Sequence, residues 1–382
     1  ATEDQPCTQY RGGAPMTRPG RGVLIMAGGT GGHVYPGLAV AQCLRAKGWD
    51  VSWIGTARGL EATVVPANKI SLHTLKTLGL RGKGAISRVK GIASLLWACG
   101  QALVLLLRRR PSIVIGFGGY AAGPAGAVAR LLGIPLLIHE QNAIAGTTNR
   151  VLARRAACVM AGFEGAFKTG IDVNVTGNPL RDGFSKVAHK DYPADSFDAL
   201  RPLRIAVLGG SQGALALNTG CPEAFSQLSN EELASIEVRH QCGIAHVEVT
   251  QQAWARIGVH HYDVLPFVDD MAALYGWADI AICRAGALTV SELAVTGTPS
   301  LLVPLPQAID NHQMKNAEAL QSAGGATIVA QKDLGSDVVP AFLSRVLADA
   351  PSLLRMSQSA RDWSKPHATD DVVAIAEEVA RG

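Results

Sequence analysis

One pattern occurs twice in this chain: an apolar strand, a glycine-rich loop and then a helix. The first copy is a strand at 21–27 with the loop GGTGGH at 28–33, and the second is a strand at 204–208 with the loop GGSQG at 209–213. Strands that are apolar throughout and alternate with helices are typical of parallel sheets covered on both faces. The pattern therefore predicts two doubly wound α/β domains that face each other, with every glycine loop at the carboxyl end of a strand, where ligands bind.

The length of the chain agrees with two domains, because 382 residues exceed what one hydrophobic core usually holds. We predict a first domain at 21–180 and a second at 181–361, with the GNP sequence at 177–179 as the crossover. Residues 186–202 are polar and are predicted to form a surface loop or a short helix. Residues 1–20 lack the apolar core of a signal peptide, so we expect a disordered lead-in and no export.

Composition excludes several classes of protein. A net charge of +4 gives no nucleic-acid footprint, so no nucleic-acid partner is expected. The seven cysteines stand singly with no CxxC pair, which indicates core residues in a reduced compartment and neither disulfides nor a zinc site. The chain also lacks a DxD-like acid pair. We therefore expect no metal and no cofactor.

The segment at 283–316 has the order of a sugar-nucleotide site. A strand at 280–283 leads through Arg284, Ala285 and Gly286 into a helix predicted to begin near Leu288. The free N–H groups at a helix start attract phosphate oxygens, and Arg284 can add a charge-assisted bond. Glu292, one turn further on, can accept hydrogen bonds from two neighbouring hydroxyls, as on a ribose. The alternative is an ordinary helix with Glu292 on the surface.

The glycine loops do not follow the dinucleotide-binding pattern. The loops at 28–33 and 209–213 fail the GxGxxG spacing, and only 116–121 matches it weakly, with Glu140 one strand later. A nicotinamide oxidoreductase therefore remains an alternative. Glycines also let the backbone approach a bulky anionic ligand closely. These loops carry side chains suited to sugars, namely Thr30, His33, Tyr120, Asn142 and Ser211.

Eight motifs in order carry a resemblance to a known family. They are AGGTGGHVYPG, GLRGKG, GGYAAGP, HEQNAIAGTTN, GNPLR, GGSQGA, FVDDM and CRAGALTVSE, and together they resemble the MurG family of glycosyltransferases of bacterial peptidoglycan synthesis. The resemblance implies a GT-B fold, with two Rossmann-like domains facing each other across a cleft and a final helix, about 362–382, packed back on the first domain. It implies inverting transfer of GlcNAc from UDP-GlcNAc to C4 of MurNAc in undecaprenyl-pyrophosphoryl-MurNAc-pentapeptide.

The same resemblance assigns residues to the donor. The helix start near Leu288 would bind the diphosphate, Val268 would border the uracil, and Ser211 and Arg181 would touch the diphosphate side. The loop of the first domain would close over the donor. The predicted donor-binding residues are Thr30, Gly31, Gly32, Asn142, Arg181, Ser211, Val268, Arg284, Ala287, Leu288, Thr289, Val290, Ser291, Glu292, Gln313 and Asn316.

Inverting transfer needs a base that removes the proton of the acceptor hydroxyl. We predict that His33 is this base, because histidine titrates near neutral pH; a role in orienting the loop or the acceptor by hydrogen bonding is as well supported. Glu140 is the second candidate, although a carboxylate that buttresses its loop is the better interpretation. Tyr120 is predicted to line the acceptor sugar.

A lipid-linked acceptor requires a membrane surface. Residues 92–107 are apolar at helical length but shorter than the ~20 residues of a membrane span, and basic residues flank them. One side of such a helix covers the sheet, and the other, with Ile92, Leu95, Leu96 and Trp97, is predicted to dock on an anionic membrane. The resemblance implies a peripheral protein on the cytoplasmic face of the inner membrane, in contact with other cell-wall synthesis proteins.

Three further alternatives stay open at the level of sequence. A glycerolipid glycosyltransferase or a UDP-GlcNAc epimerase would share the fold and the nucleotide site. A sugar-nucleotide binder without catalysis would share the site alone.

Overall fold

A computed structural model describes residues 21–75, 85–306 and 311–382, and for 85–90 and Ile92 it describes the backbone only. The predicted lead-in at 1–20 lies outside the described residues. The chain forms two compact units: unit 1 ends at Arg181 and regains His367–Gly382, and unit 2 is Asp182–Pro366. Each is built on one parallel sheet, so the predicted doubly wound α/β class is confirmed.

Unit 1 contains a seven-stranded sheet in the order β3-β2-β1-β4-β5-β6-β7, and every neighbouring pair is parallel. Its elements are β1 (Gly22–Ala27), α1 (Gly31–Ala46), β2 (Asp50–Gly55), α2 (Glu61–Ala67), β3 (Ser71–Thr74), α3 (Ala85–Arg109), β4 (Ile113–Gly118), α4 (Ala122–Leu131), β5 (Leu136–Glu140), α5 (Thr147–Ala153), β6 (Cys158–Ala161), β7 (Asn174–Val175) and, after unit 2, α14 (Ala368–Arg381).

Strand β1 shows why these strands are apolar at every position. Val23 and Ile25 point into one core, with α1 and α14 above them, while Leu24 and Met26 point into a second core beneath α3 and α4. Successive side chains of a strand alternate between faces, and helices cover both faces here. No position of β1 after Gly22 is left for a polar residue.

Unit 2 repeats the arrangement with six parallel strands in the order β10-β9-β8-β11-β12-β13. Its elements are β8 (Leu203–Leu208), α6 (Leu215–Phe225), α7 (Asn230–Ala234), β9 (Ile236–Gln241), α8 (Val247–Trp254), β10 (His261–Leu265), α9 (Met271–Trp277), β11 (Ile280–Cys283), α10 (Ala287–Thr296), β12 (Ser300–Leu302), α11 (His312–Ser322), β13 (Ala326–Ile328), α12 (Val338–Ala348) and α13 (Ala350–Trp363).

Both sheets reverse their strand order at one point, which lies between β1 and β4 in unit 1 and between β8 and β11 in unit 2. Ligands of open α/β sheets bind at such switch points, outside the carboxyl ends of the strands. The loops at 28–30 and 119–121 flank the first switch point, and those at 209–214 and 284–286 flank the second. These four loops are therefore the places to look for a site.

The chain returns to unit 1 through α14. Its buried residues Val372, Val373 and Ala376 join the core that also contains Ile25. The Trp49 indole N–H donates to Glu377 at 3.2 Å, and Lys47 pairs with the same carboxylate at 3.3 Å. The last helix is therefore an integral part of unit 1.

The segment at 186–202, predicted to be a surface loop or a short helix, is attached to unit 2 by specific contacts. It has little regular structure, but Phe197 is buried in the unit 2 core. Lys190 donates to the carbonyls of Tyr275 and Ala278 at the end of α9, and Arg201 forms a bidentate pair with Asp279 at 2.7 and 2.8 Å. These contacts fasten the segment to unit 2.

Candidate functional site

The start of α10, at the switch point of unit 2, presents amides that have no intrahelical partner. Gly286 is the N-cap, and the first intrahelical bond runs from the Val290 N–H to the Gly286 carbonyl at 2.9 Å. The amides of Ala287, Leu288 and Thr289 precede that bond, so they point out of the helix end. Leu288 and Thr289 are half-buried, which leaves them open to a ligand. An anion is attracted to this end by the amides and by the helix dipole.

Two of the predicted donor residues of α10, Val290 and Ser291, are buried in the protein. Val290 is completely buried and its amide is bonded, and the Ser291 hydroxyl donates to the Ala287 carbonyl at 3.0 Å. Glu292, in contrast, is half-buried and has the Tyr275 hydroxyl 3.4 Å from its Oε2. Tyr275 itself is completely buried on α9. It can therefore fix the direction in which the Glu292 carboxylate points.

Three other predicted donor residues brace the loops around α10. The Asn316 side chain is wholly buried, and its Nδ2 donates to the Ala285 carbonyl at 3.2 Å, next to the start of α10. Arg284 donates to the Val303 carbonyl at 3.0 Å and to Gln331 Oε1 at 2.7 Å, while burial lowers the pKa of its guanidinium. The Gln313 side chain accepts from the Leu305 amide at 2.9 Å. Direct ligand contacts by these residues stay predictions.

The loop that carries Ser211 is packed against the loop after β9. A Cβ on Gly213 would lie 1.8 Å from the Cys242 carbonyl oxygen, and φ of Gly213 is +76°, so only glycine fits. The side-chain Nε2 of Gln241 donates to the Gly210 carbonyl at 3.0 Å and to the Pro266 carbonyl at 3.3 Å. Gln241 thus joins the glycine loop to the loop of Val268, which is half-buried. Ser211 is exposed on this framework.

The buried His240 helps to hold the loop after β9 in place. Trp254 Nε1 donates to His240 Nδ1 at 3.0 Å, so Nε2 carries the proton and donates to the Asn218 side chain at 3.0 Å. Asn218 in turn donates to the Cys242 carbonyl at 3.0 Å. Burial lowers the pKa of His240 to about 3, so the ring is neutral at physiological pH.

In unit 1 the first glycine loop and the loop after β4 are in contact. A Cβ on Gly119 would lie 2.5 Å from the Gly28 carbonyl oxygen, and a Cβ on Gly118 would lie 3.0 Å from His33 Nε2. Both glycines have φ near +100°. The half-buried imidazole of His33 therefore lies directly over the backbone of Gly118. Tyr120, on the same loop, is 62% exposed and is available to a ligand.

Glu140 is the centre of a hydrogen-bond network in unit 1. Its Oε1 accepts from the Asn142 amide at 3.0 Å and from the Asn142 side chain at 3.1 Å. Its Oε2 accepts from the Gly146 amide at 3.0 Å and from the Asn149 side chain at 2.9 Å. Both oxygens of this carboxylate therefore accept hydrogen bonds, four in all, and the side chain is almost completely buried. The geometry suits a buttress of the Asn142 loop.

Two neighbours complete the unit 1 cluster. His139 is fully buried and lies 2.9 Å from the Gly177 carbonyl, and burial lowers the pKa of this histidine to about 4. The Arg181 guanidinium stacks over the Tyr35 ring at 5.0 Å, and a Cβ on Gly31 would lie 3.0 Å from the same ring. Arg181 therefore belongs to the start of α1 and not to unit 2.

The predicted membrane residues lie on α3. Leu95, Leu96 and Trp97 are 52%, 67% and 65% exposed, whereas Ala98, Ala102 and Leu106 are buried against the sheet. The side chain of Ile92 lies outside the described residues. No described helix is long and apolar enough to cross a membrane.

Sequence reasoning missed the residues that support the site from beneath, because their partners are distant along the chain. Tyr275 and Gln241 lie in none of the eight motifs, and Asn149 ends the HEQNAIAGTTN motif without a role that the motif reveals. His240 and His139 are likewise supports that the structure buries. Among the residues that the structure describes, no group of three or more His, Cys, Asp or Glu side chains could hold a metal.

Comparisons with known proteins agree with this geometry. Residues 23–161 match the glycosyltransferase family 28 N-terminal domain, and 204–372 match its C-terminal domain. A crystal structure of Acinetobacter baumannii MurG is 38% identical, covers 94% of this chain and 99% of its own, and superposes with a TM-score of 0.79. The predicted GT-B fold class, with two Rossmann-like parallel-sheet domains, is thereby confirmed.

Curated relatives carry one name, UDP-N-acetylglucosamine--N-acetylmuramyl-(pentapeptide) pyrophosphoryl-undecaprenol N-acetylglucosamine transferase. The relative from Pseudomonas paraeruginosa is 48% identical over 94% of this chain and 99% of its own length. The relative from Alkalilimnicola ehrlichii is 48% identical over 96% of this chain and all of its own length. The chain therefore belongs to the MurG family, within glycosyltransferase family 28.

Proposed function

We propose that this protein transfers GlcNAc, with inversion, from UDP-GlcNAc to the C4 hydroxyl of MurNAc in undecaprenyl-pyrophosphoryl-MurNAc-pentapeptide. The printed names of the relatives support this donor and this lipid-linked acceptor. The observation that carries the proposal is the start of α10, where free amides of Leu288 and Thr289 stand one turn from the Glu292 carboxylate. One end of this arrangement suits a diphosphate and the other a pair of ribose hydroxyls.

Unit 2 is the donor-binding domain in this proposal. The α10 amides, the glycine loop of Ser211 and the loop of Val268 bind the nucleotide, and no metal takes part. As the sugar bond breaks, negative charge grows on the diphosphate, and fixed amides stabilise that charge without reorganising. Asn316, Gln313 and Arg284 support the donor through the loops that they brace.

Unit 1 is the acceptor domain. His33 removes the proton of the C4 hydroxyl, which attacks the anomeric carbon from the face opposite UDP. Its ring is half-buried, and Nε2 lies against the Gly118 backbone. Glu140 holds the Asn142 loop, because its oxygens already accept four hydrogen bonds. Tyr120 lines the acceptor sugar.

Labelled UDP-GlcNAc and a short-chain analogue of the lipid acceptor test the proposal. UDP must be released only when the muramoyl lipid is present, and the label must move to the lipid. Label transfer to diacylglycerol in place of the muramoyl lipid would favour a glycerolipid transferase. Conversion of UDP-GlcNAc to its epimer without any acceptor would refute transfer. Quenching of tryptophan fluorescence by NAD(P)H would favour an oxidoreductase.

Two substitutions separate the assigned roles. Glu292→Ala removes the ribose acceptor and is expected chiefly to weaken donor binding, whereas His33→Ala is expected chiefly to lower turnover. Equal and mild effects of both changes on kcat and KM would contradict the roles.

We further propose that unit 1 docks on the anionic cytoplasmic face of the inner membrane through α3. Leu95, Leu96 and Trp97 form its exposed apolar side, and the exposed Arg108, Arg109 and Arg110 follow at its end. Contact with other cell-wall synthesis proteins would occur on the same membrane.

Vesicle binding tests the docking proposal. The wild-type protein is expected to sediment with anionic phospholipid vesicles and to dissociate at high salt, and the pair Leu96→Ser and Trp97→Ser is expected to abolish sedimentation. The control is Leu200→Ser, a change at a leucine of unit 2 that is even more exposed. Loss of binding in the control, or retention in the pair, would contradict docking through α3.

A further inference from the structure

A buried carboxylate lies beneath the first glycine loop. Glu61 is in the first turn of α2, and its side chain has no exposure to solvent. Its Oε2 accepts from the Gly29 amide at 2.9 Å, and its Oε1 accepts from the Thr56 amide at 2.8 Å and the Thr56 hydroxyl at 2.7 Å. Fully buried glutamates are rare unless they are paired. This one is paired with backbone and hydroxyl donors only.

The hydrogen bonds keep this carboxylate ionised. Burial alone would raise the pKa of Glu61, but the bonds from the Thr56 hydroxyl and from the Gly29 and Thr56 amides outweigh burial and lower it. The buried charge is therefore stable in the folded protein at neutral pH.

Three glycines leave the room that this side chain occupies. A Cβ on Gly28 would lie 2.6 Å from a Glu61 oxygen, one on Gly55 2.5 Å from its Cγ, and one on Gly59 2.1 Å from an oxygen. These contacts are too short for any real Cβ. One glycine of the β1–α1 loop and two at the β2–α2 connection thus enclose one carboxylate.

The carboxylate sets the conformation of the loop that carries the proposed base. Gly29 adopts φ +95°, and Glu61 occupies its amide, so a ligand phosphate cannot bind that amide. The next residue, Thr30, is the N-cap of α1, and its carbonyl accepts from the His33 amide at 3.1 Å. The path from the carboxylate to His33 therefore runs through the short backbone segment 29–33, which is held at Gly29 by Glu61 and at His33 by the Thr30 carbonyl.

We propose that Glu61 is a positioning residue for the transfer reaction: its carboxylate anchors Gly29 and thereby holds the first glycine loop and His33 in place for the acceptor hydroxyl. The inference rests on the proposed function, because it assigns His33 to the acceptor. The loop is preformed by an anion that belongs to the protein and needs no bound phosphate to order it.

Glu61→Gln tests the anchor selectively. Glutamine keeps one acceptor oxygen, which we expect to stay with the two Thr56 donors, and its NH₂ group then faces the Gly29 N–H. The matched control is Thr56→Val, which removes a hydrogen bond to the same carboxylate but leaves the bond to Gly29. Glu61→Gln is expected to lower kcat about 10- to 100-fold, since displacement of a catalytic group by about 1 Å costs about that much. KM for UDP-GlcNAc should change less than about threefold, because the nucleotide of the donor binds to unit 2 in the proposed function.

Hydrogen exchange at the Gly29 amide gives a readout that does not depend on activity. Exchange should quicken in Glu61→Gln and stay as in the wild type in Thr56→Val. If the wild-type protein fails to transfer GlcNAc, the proposed function fails, while this exchange still shows whether the anchor exists. Equal losses of kcat in both variants, or unchanged exchange at Gly29 in Glu61→Gln, would overturn the inference.

A second variant covers the case in which Glu61→Gln does not fold. Gly59→Ala places a Cβ 2.1 Å from Glu61 Oε2 and so displaces the oxygen that binds Gly29, while the charge is retained. It is expected to reproduce the loss of kcat and the faster exchange. A folded Gly59→Ala protein with wild-type kcat would refute the positioning role.

Discussion

Glu140 is interpreted either as the general base or as a carboxylate that supports the Asn142 loop. The two interpretations predict different effects of Glu140→Gln on the free energy of unfolding. Each Glu140 oxygen accepts two hydrogen bonds, and glutamine keeps one oxygen, so two charge-assisted bonds are lost. Each is worth about 1.5–3 kcal/mol in a buried site, which gives about 3–6 kcal/mol in the free energy of unfolding. At about 2–4 °C per kcal/mol for a unit of this size, Tm of unit 1 should fall by about 6–24 °C.

Scanning calorimetry measures this shift, and the control is Glu164→Gln, which changes an exposed carboxylate of the same unit and should leave Tm within about 1 °C. The pH profile of kcat in the folded variant should keep the ionisation assigned to His33. If Glu140→Gln unfolds at the wild-type temperature but loses turnover together with one limb of the pH profile, Glu140 is the base and the buttress reasoning is wrong.

Three further changes test the supports of the site. Tyr275→Phe removes the hydroxyl that lies 3.4 Å from Glu292. Loss of this long hydrogen bond should weaken UDP binding by about fivefold, or about 1 kcal/mol, in titration calorimetry. Unchanged affinity would contradict the role of Tyr275. Asn316→Ala removes the hydrogen bond to the Ala285 carbonyl. The free energy of unfolding of unit 2 in urea should fall by about 1–3 kcal/mol, and UDP binding should weaken. A variant with wild-type stability and normal UDP binding would refute the supporting role of Asn316. The pKa of His139 is lowered to about 4, so the unfolded chain takes up a proton below about pH 6.5 that the native chain does not. The free energy of unfolding of unit 1 should therefore decline as pH falls from about 6.5 to about 4, and His139→Gln should make that slope shallower by up to one proton; an unchanged slope would show that His139 does not titrate in this way.

The fold was predictable because the strands are apolar at every position. Val23 and Leu24 face different cores, so neither face of β1 tolerates a polar residue, and the parallel sheet follows from that pattern. The start of α10 was also predicted closely, since Gly286 ends the loop and the observed helix begins at Ala287. In contrast, α1 begins at Gly31, inside the loop predicted at 28–33, because Gly31 and Gly32 adopt helical conformations where glycines suggested a loop.

The supporting residues could not be predicted, because each acts through a contact distant in sequence. Glu61 is 32 residues from Gly29, and a glutamate in the first turn of a helix is too common to stand out. The sequence predicts Arg284 as a phosphate ligand, which stays a prediction, but it could not show that the guanidinium also bonds to Val303 and Gln331. Motifs identify the backbone that meets the ligand, whereas three-dimensional contacts identify what holds that backbone.

A crystal structure of the protein soaked with UDP tests the central claim most directly. We expect the diphosphate within hydrogen-bond distance of the Leu288 and Thr289 amides, with the ribose hydroxyls on Glu292 and no metal ion between the phosphates and the protein. A nucleotide bound at the start of α1 in unit 1, or a diphosphate held by a metal away from α10, would contradict the account.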